Sequence, residues 1–297
     1  MNNLKDIMGT MRLPFIILTP ACVLVGLGTA VWRIGNVNLL YFTLALIGAI
    51  AAHISVNALN EYFDFKSGLD QRTHRTPFSG GSGTLPEKPE LERQALYVAI
   101  TAMAITALIG LYFLQVRGLG LLPLGILGLL IIVIYTPVLT HNPILCLIAP
   151  GLAYGPLMVM GTDFVLTGGY SWTSFIASLV PFFLVNDLLL LNQFPDIEAD
   201  KSVGRRHFPI LIGSRASSII YGSILLLTYL SIVIGVILDY LPWTSLLGLL
   251  TLPIALRNIV GAYRYAEDVE KLIPFLGFNV ILNIVTPVLL AIGLLIG

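Results

Sequence analysis

Charged residues are scarce in this sequence of 297 residues, where they make up only 11%. A soluble domain has roughly 25% charged residues, so the scarcity argues against a soluble protein. Acidic and basic residues are equal in number, at 16 each. Without an excess of positive charge, nothing indicates a nucleic-acid-binding surface. The two cysteines, Cys22 and Cys146, both lie in apolar segments, which argues against a disulfide framework and against a zinc site.

Hydrophobic residues make up 57% of the chain, and its mean hydropathy is +0.90. The apolar segments are continuous and of spanning length, which favours helices over a β-barrel. We therefore predict an all-α fold, a polytopic membrane bundle of nine transmembrane helices with cytoplasmic cap loops. It forms a single transmembrane domain over residues 1–297. The predicted spans are 13–32, 38–60, 94–115, 119–138, 144–164, 171–192, 215–238, 242–261 and 273–296.

The basic residues predict the orientation of the bundle. Fourteen of the sixteen lie near the N-terminus, as Lys5 and Arg12 do, or after the second, sixth and eighth spans. Only Arg33 and Arg117 fall on the other side. By the positive-inside rule the N-terminus is cytoplasmic and the C-terminus is outside. We expect an integral membrane protein of a prokaryotic plasma membrane, with an active site that faces the cytoplasm.

Two acidic clusters follow the second and sixth spans. The first reads NEYFDFKSGLD and the second reads NQFPDIEAD, each with an Asn four residues before an Asp. Acids beside a membrane are costly and usually functional, and oxygen ligands suit Mg²⁺ bound against an anionic substrate. The ordinary alternative is helix capping and hydrogen bonding between helices. The predicted metal ligands are Asn60, Glu61, Asp64, Asp70, Asn192, Asp196 and Asp200.

Basic residues are interleaved with these acids. They offset the repulsion among the carboxylates, and Arg offers a planar, bidentate fork to phosphate oxygens. Their alternative role is to fix the topology of the loops. A glycine-rich stretch, residues 77–83, lacks the ending of a P-loop and could cap the site or serve as a linker. The predicted diphosphate-binding residues in the loops are Lys66, Arg72, Arg75, Lys201, Arg205 and Arg206.

The paired clusters in a nine-span chain resemble the UbiA superfamily of membrane prenyltransferases, over essentially the whole chain. The first family motif, Asn-Asp-x-x-Asp with a further Asp, reads NEYFDFKSGLD here, with Glu61 in place of the usual second residue. The second motif reads NQFPDIEADKSVGRR. Arg12-Leu13-Pro14 looks like the opening of the family, and Arg12 joins the expected diphosphate-binding residues. The spacing from Asp64 to Asp70 looks most like the menaquinone-type branch.

The resemblance implies a Mg²⁺-dependent prenyltransferase. A polyprenyl diphosphate would bind between the clusters, and its allylic group would alkylate an aromatic acceptor such as 1,4-dihydroxy-2-naphthoate or a related quinone precursor. The lipid bilayer and the two substrates are the expected partners, and no nucleic acid is expected. Asp187 and Tyr135 are the candidate catalytic residues beside the acceptor, although Asp187 could instead form an interhelical hydrogen bond.

Two alternatives stay open. The same fold could prenylate 4-hydroxybenzoate or geranylgeranylglyceryl phosphate. An ion or organic-anion transporter could also use acids in a membrane, but such sites lie near the midplane, between inverted repeats. The acids here lie at one face and both clusters emerge on the same side.

Overall fold

The fold is a bundle of long helices. The computed structural model describes residues 7–297 and contains no β-strand in that range. Lys5, which contributes to the charge argument, lies outside the described residues. The long helices of the described chain are α1 (Leu18–Ile34), α2 (Leu39–Ser67), α3 (Glu92–Arg117), α4 (Leu122–Ile134), α5 (Pro143–Thr167), α6 (Trp172–Asn192), α7 (Phe208–Ile237), α8 (Trp243–Arg264) and α9 (Val269–Ile296).

The lengths of the helices test the predicted number of spans. Among the described residues, seven helices are long and apolar enough to cross a membrane. Helix α1 and the segment Ile7–Phe15 meet at 49° and form an eighth candidate, whereas α4 belongs to a shorter apolar stretch, Leu119–Ile134. The predicted all-α membrane bundle is confirmed, and nine is an approximate count of its spans. The prediction that the acidic clusters face the cytoplasm stays a prediction.

Several helices are irregular. Helix α5 runs through a π-helical segment, Ala153–Met160, and α8 begins with 3-10 turns over Trp243–Thr251. Helix α7 bends at Gly213, whose φ of 80° is in the left-handed region that glycine tolerates. The remaining elements are short 3-10 turns and helices, at Leu13–Phe15, Thr84–Glu87, Pro89–Leu91, Leu119–Leu121, Leu139–His141 and Ile197–Ser202.

Helix α1 lies at the centre of the packing, in contact with α2, α5, α6 and α9. The larger core surrounds it with fully buried side chains such as Leu184, Tyr221 and Leu276. The outward surface keeps large apolar side chains, including Leu108 and Ile219. Such a surface suits a helix bundle in lipid, where apolar side chains need not turn inward.

The end of the bundle opposite the acidic clusters is held by two arginines. Arg33 Nη1 donates to Oδ2 of the fully buried Asp163 over 2.7 Å, which ties α1 to α5. Arg117 donates to the carbonyl oxygens of Val165 and Leu166 over 2.7 and 2.8 Å. Because Arg117 ends α3, these bonds tie α3 to the last turn of α5.

Candidate active site

The two acidic clusters, far apart in the sequence, line one cavity. Helix α2 brings the first cluster to this place, and the end of α6 with the helix Ile197–Ser202 brings the second. We call this space the acidic cavity. Its polar lining comes from Arg12, Asn60, Asp64, Asp70, Thr73, Ser79, Tyr135, Thr140, Cys146, Asn192, Gln193, Asp196, Asp200, Arg205 and His207.

The first cluster is shaped by the end of α2. Residues three and four apart share a face of a helix, so Asn60 and Asp64 point into the same cavity. Helix α2 ends at Gly68, whose φ of 73° is left-handed, and the N–H of Leu69 bonds back to the carbonyl of Asp64 over 3.0 Å. This C-terminal turn reverses the chain and returns Asp70 to the cavity.

The second cluster is shaped by a helix break. Helix α6 ends at Asn192, and the chain restarts as Ile197–Ser202 directly after Pro195 and Asp196. The N–H of Asp200 bonds to the carbonyl of Asp196 over 2.9 Å. The two aspartates are therefore one helical turn apart, and both line the acidic cavity.

Arg205 joins the two clusters. Its Nη2 contacts Oδ1 of Asp64, and its Nη1 donates to Oδ1 of Asp200 over 2.9 Å. Nε2 of His207 lies 2.9 Å from the other carboxylate oxygen of Asp200. Burial opposes the charge on Arg205, but the two carboxylates outweigh that effect and raise its pKa. Arg205 thus stays charged and neutralises one acid from each cluster.

Arg12 plays a similar part beside the first cluster. Its Nε donates to Glu61 Oε1 over 2.8 Å, and its Nη2 donates to Asn60 Oδ1 over 3.0 Å. Glu61 is fully buried and also accepts from the N–H and the hydroxyl of Ser82, over 2.8 and 2.7 Å. Glu61 therefore holds Arg12 and the glycine-rich stretch in place.

That stretch closes over the acids. At Gly81 the φ is 74°, and a Cβ would lie 3.1 Å from Asp70 Oδ1 and 3.4 Å from Glu61 Oε1. Any larger residue would be strained there and would crowd the carboxylates. The stretch therefore caps the acidic cavity. The sequence alone had allowed either a cap or a plain linker.

The oxygen atoms of the cavity suit a hard divalent cation. Asp70 Oδ2, Asn192 Oδ1 and Asp196 Oδ1 are buried without a hydrogen-bond partner, which is costly unless a ligand satisfies them. Burial, followed by the charges of Glu61 and Asp64, raises the pKa of Asp70 to about 7. Burial, followed by the charge of Asp200, also raises the pKa of Asp196 to about 7. The cavity therefore has more carboxylate than its arginines neutralise.

These donors fit Mg²⁺ by their chemistry, since it takes carboxylate and amide oxygens. They are not yet gathered around one point. Among residues 7–297, no three His, Cys, Asp or Glu side chains are placed as ligands of a single ion. Asp64 and Asp200 are engaged by Arg205 and Glu61 by Arg12, so binding a metal requires these side chains to rearrange.

Only part of the predicted basic set lies at the acidic cavity. Arg12 and Arg205 line it. Lys66 pairs instead with Glu92 over 2.7 Å, and Arg75 with Glu87 over 3.1 Å. Arg72 donates to the hydroxyl of Ser202 over 3.2 Å, which links the two loops. Lys201 and Arg206 are likewise exposed and lie outside the lining.

The two candidate catalytic residues are placed differently. Tyr135 directly follows α4 as its C-cap and lines the acidic cavity. Asp187 is fully buried inside the bundle, and neither of its carboxylate oxygens has a hydrogen-bond partner. It is not among the residues that line the acidic cavity. Asn279 Nδ2 donates to its backbone carbonyl over 3.2 Å, so α9 packs directly against this turn of α6.

Sequence reasoning missed several residues of the cavity. His207 follows the second cluster in the sequence, and this nearness could have suggested that its side chain lines the cavity. Cys146 and Gln193 meet at 3.3 Å, with Gln193 donating to the thiol sulfur. Gln193 stands inside the second cluster without an assigned role, and Cys146 belongs to no recognisable pattern. Their contact could not be foreseen, because α5 and α6 become neighbours only in the folded bundle.

A separate apolar cavity lies about one helical turn from the acidic cavity along α2 and α4. It has a volume of about 210 Å³ and lies between α2, α3, α4 and α5. Its wall includes Val56 and Ile131, each one helical turn before a residue of the acidic cavity, Asn60 and Tyr135. Its only titratable side chains among the described residues are His53 and Tyr154, and the rest of its wall is apolar apart from two threonines.

The sequence of this chain is similar to those of known proteins. The sequence model described as "UbiA prenyltransferase family" matches residues 20–284. The chain is 28% identical over 201 residues to the 1,4-dihydroxy-2-naphthoate octaprenyltransferase of Bacillus subtilis, which covers 67% of this chain and 63% of that relative. The chain thus matches somewhat less than two thirds of the length of this relative.

Two solved structures share the fold. The apo structure of a UbiA homolog from Aeropyrum pernix superposes with a TM-score of 0.72 at 17% identity, covering 95% of this chain and 97% of the other. A UbiA homolog from Archaeoglobus fulgidus bound to DMAPP and Mg²⁺ superposes with a TM-score of 0.62 at 16% identity, covering 97% and 99%. At these identities the likeness concerns the fold alone.

Proposed function

Since the chain belongs to the UbiA prenyltransferase family, we propose that it transfers a polyprenyl group from an allylic diphosphate to an aromatic acceptor. The reaction depends on Mg²⁺, and the acceptor is 1,4-dihydroxy-2-naphthoate or a related quinone precursor. The observation that carries the proposal is the meeting of both acidic clusters with Arg12 and Arg205 in one cavity. Membership of the family also favours the enzyme over the transporter considered from the sequence.

The acidic cavity is the proposed place of the diphosphate and the metal. Asp70, Asn192 and Asp196 offer oxygen atoms without partners, and Asp64 and Asp200 become available when Arg205 leaves them. Asn60 and Glu61 complete the proposed ligand set. The guanidinium groups of Arg12 and Arg205 are at hand for phosphate oxygens, whereas the outlying basic residues would need loop movement to reach them.

The apolar cavity is the proposed place of the prenyl chain. It begins one helical turn from Asn60 and Tyr135, so an allylic C1 atom at this junction has its diphosphate on one side and its chain on the other. The lining of alanine, glycine and branched apolar residues suits an isoprenoid. A tail in this position also excludes water from the reacting carbon.

The proposed reaction alkylates the aromatic acceptor with the prenyl group. The C1–O bond of the donor breaks and its electron pair leaves with the diphosphate. The allylic cation bonds to an electron-rich ring carbon. The proton of that carbon then passes to a base, either the candidate Asp187 or the released diphosphate, and the ring becomes aromatic again. Bound Mg²⁺ supplies Lewis-acid stabilisation of the leaving diphosphate. Arg12 and Arg205 stabilise the same charge, and the capping stretch around Gly81 keeps water from quenching the cation.

The acceptor proposal follows the naphthoate relative in Bacillus subtilis and the spacing of the first motif. Tyr135 lines the cavity and stays a candidate beside the acceptor. Asp187 stays a candidate that would act from outside the cavity lining. By the charge distribution, we further propose that the cavity opens to the cytoplasm of a prokaryotic cell.

A panel of acceptors tests the function. Purified protein in lipid nanodiscs is mixed with Mg²⁺, geranylgeranyl diphosphate and one acceptor at a time: 1,4-dihydroxy-2-naphthoate, 4-hydroxybenzoate or geranylgeranylglyceryl phosphate. Mass spectrometry identifies the prenylated product. We expect product with the naphthoate and its loss in Asp64→Asn and Asp196→Asn. Full activity of both variants would overturn the metal assignment, and product only with another acceptor would overturn the acceptor.

A further inference from the structure

The outer surface of α8 carries two arginines that no acid neutralises. Arg257 and Arg264 are both exposed, and among the described residues neither takes part in an ion pair. Seven residues separate them, which is nearly two full turns, so they lie on one face of the helix. Leu256 and Val260 beside them are exposed at 49% and 65%. The two arginines therefore stand in the apolar outer surface of the bundle.

One of these arginines lies at hydrocarbon depth. The span begins at Trp243, which is exposed at 75% and is of a residue type that marks membrane interfaces. The chain rises about 2.0 Å per residue in the 3-10 turns and about 1.5 Å in the α-helix. Arg257 is thus about 25 Å from Trp243 along the axis and Arg264 about 36 Å. Since the hydrocarbon layer is about 30 Å thick, Arg257 is inside it and Arg264 just beyond it.

Aromatic rings hold both guanidinium groups at this surface. The guanidinium of Arg257 lies 5.2 Å from the ring centroid of Phe278, and that of Arg264 lies 5.6 Å from the ring centroid of Tyr265. The ring of Phe275 lies between, with its centroid 5.6 Å from that of Tyr265 and 6.3 Å from that of Phe278. A ring face stabilises a cation only in part, and an unpaired charge at hydrocarbon depth is costly. The position of Arg257 therefore calls for an anion.

The acids near this surface lie on the turn beyond it. Residues 243–297 contain three acids, Glu267, Asp268 and Glu270, all between the end of α8 and the first turn of α9. Asp268 pairs with Lys271 over 2.6 Å, and Glu267 interacts electrostatically with Arg215 of α7. Among the described residues of α8 and α9, the part of the surface below this turn thus carries positive charge alone.

The same turn of α9 supports the capping stretch, residues 77–83. Gly277 directly precedes Phe278, and a Cβ at Gly277 would meet Phe78 Cζ at 3.2 Å. Phe78 belongs to the capping stretch and lines the acidic cavity. A ligand that holds Arg257 and Phe278 together from outside would therefore steady the helix turn on which the cap rests.

We propose that Arg257 and Arg264 bind the phosphate of an anionic phospholipid, whose acyl chains lie against Phe275 and Phe278 and whose binding steadies the cap. A phosphate accepts paired hydrogen bonds from guanidinium groups, and basic clusters at the membrane surface select anionic lipids. The ammonium group of a zwitterionic lipid would be repelled by the second arginine. This site is on the outer surface of the bundle, apart from the acidic cavity, and does not depend on the proposed reaction.

The test measures lipid binding on the purified full chain by native mass spectrometry, with phosphatidylglycerol and with phosphatidylcholine of the same acyl chains. We expect wild type to bind phosphatidylglycerol at least about tenfold more tightly. Joint replacement by Arg257→Gln and Arg264→Gln should reduce this preference to within about threefold of unity. Arg215→Gln is the matched control, because Arg215 is also exposed and lies 4.7 Å from the ring centroid of Tyr263. This control should keep the full preference.

A preference that survives in the double variant would overturn the inference, and so would an equal loss in Arg215→Gln. Excess inorganic phosphate should not displace the lipid, and displacement would assign the arginines to a soluble phosphate instead. If the double variant does not fold, wild type decides. Phosphatidylglycerol with a diazirine in its acyl chain should then label residues 256–281, and label spread evenly over the exposed helices contradicts the site.

The effect on the cap has its own measurement. Amide hydrogen exchange of residues 77–83 should slow when phosphatidylglycerol replaces phosphatidylcholine in nanodiscs, in wild type and in Arg215→Gln but not in the double variant. Exchange that stays constant although the lipid binds would refute the coupling to the cap. None of these measurements uses turnover, so a chain that binds the lipid as expected but transfers no prenyl group would refute the proposed function alone.

Discussion

Arg205 occupies the carboxylates that a metal ion needs. It contacts Asp64 and Asp200 at once, and the side chains are exposed by only 14% for Arg205, 7% for Asp64 and 4% for Asp200. If Mg²⁺ binds these acids, Arg205 must release at least one of them. Replacing Arg205 with glutamine is therefore expected to raise the affinity for Mg²⁺ when no diphosphate is present.

The size of the effect follows from the bond that must break. A hydrogen bond to a charged group contributes about 1.5–3 kcal/mol, and the low exposure of all three side chains leaves little screening by solvent. Since about 1.4 kcal/mol corresponds to a tenfold change in affinity, Arg205→Gln should bind Mg²⁺ roughly 10- to 100-fold more tightly. Repulsion between the released carboxylates acts in the same direction.

The measurement is metal binding without substrate. Isothermal titration with Mg²⁺, or electron paramagnetic resonance with Mn²⁺, is carried out on protein in nanodiscs. Arg205→Lys keeps the charge and should stay within a few-fold of wild type, which makes it the matched control. An unchanged or weaker metal affinity in Arg205→Gln would show that Arg205 does not compete with the metal. Turnover should nevertheless fall, because the diphosphate loses a cationic partner.

Since Asp70 and Asp196 have pKa values of about 7 and must lose a proton to bind metal, Mg²⁺ affinity should be lower at pH 6 than at pH 8 in calorimetric titrations. Gly161→Leu should raise the KM for a long prenyl diphosphate about tenfold and leave the KM for dimethylallyl diphosphate unchanged. A Cβ at Gly161 meets no atom within 4 Å, so the leucine fits without disturbing the helix. Its side chain displaces about two methylene groups of the prenyl tail, at about 0.8 kcal/mol each. Asp187→Asn should retain thermal stability, as its carboxylate forms no hydrogen bond, and a role as base requires its pH–rate profile to change.

Each of these has a result that contradicts it. A metal affinity that is constant between pH 6 and pH 8 would exclude the two acids as ligands. Gly169→Leu is the matched control for Gly161→Leu, because a Cβ there also meets nothing within 4 Å but lies outside the apolar cavity. Equal effects of the two glycine variants would show that the prenyl tail does not bind in the apolar cavity. Full turnover of Asp187→Asn with an unchanged pH profile would end its candidacy as a base.

The sequence predicted the bundle well because lipid imposes a simple rule. A backbone in hydrocarbon must satisfy its own hydrogen bonds, so a long apolar run becomes a helix. The acidic clusters could be recognised for a related reason, since scarce acids such as Asp64 and Asp196 stand out beside apolar runs. Gly68, between Asp64 and Asp70, is the residue type that allows the turn returning Asp70 to the cavity.

Which of the predicted basic residues pair with these acids could not be predicted. Arg205 and Arg206 are neighbours in the sequence, yet only Arg205 points into the cavity, and one residue of spacing in a loop does not decide direction. Asp187 was predicted to lie beside the acceptor, but it does not line the acidic cavity. It precedes Asn192 by five residues, which is a rotation of about 140° on a helix of 3.6 residues per turn, so the two side chains lie on different faces of α6.

The π-helical segment of α5 links the apolar cavity to the Arg33–Asp163 ion pair. A π turn accommodates one more residue than an α turn, and one residue corresponds to about 100° of rotation along a helix. The segment Ala153–Met160 lies in the wall of the apolar cavity, and Asp163 follows it on the same helix. Deleting one residue here would turn Asp163 away from Arg33. A change in the length of this segment is therefore coupled to the distant ion pair, and homologous chains should gain or lose the extra residue and the pair together.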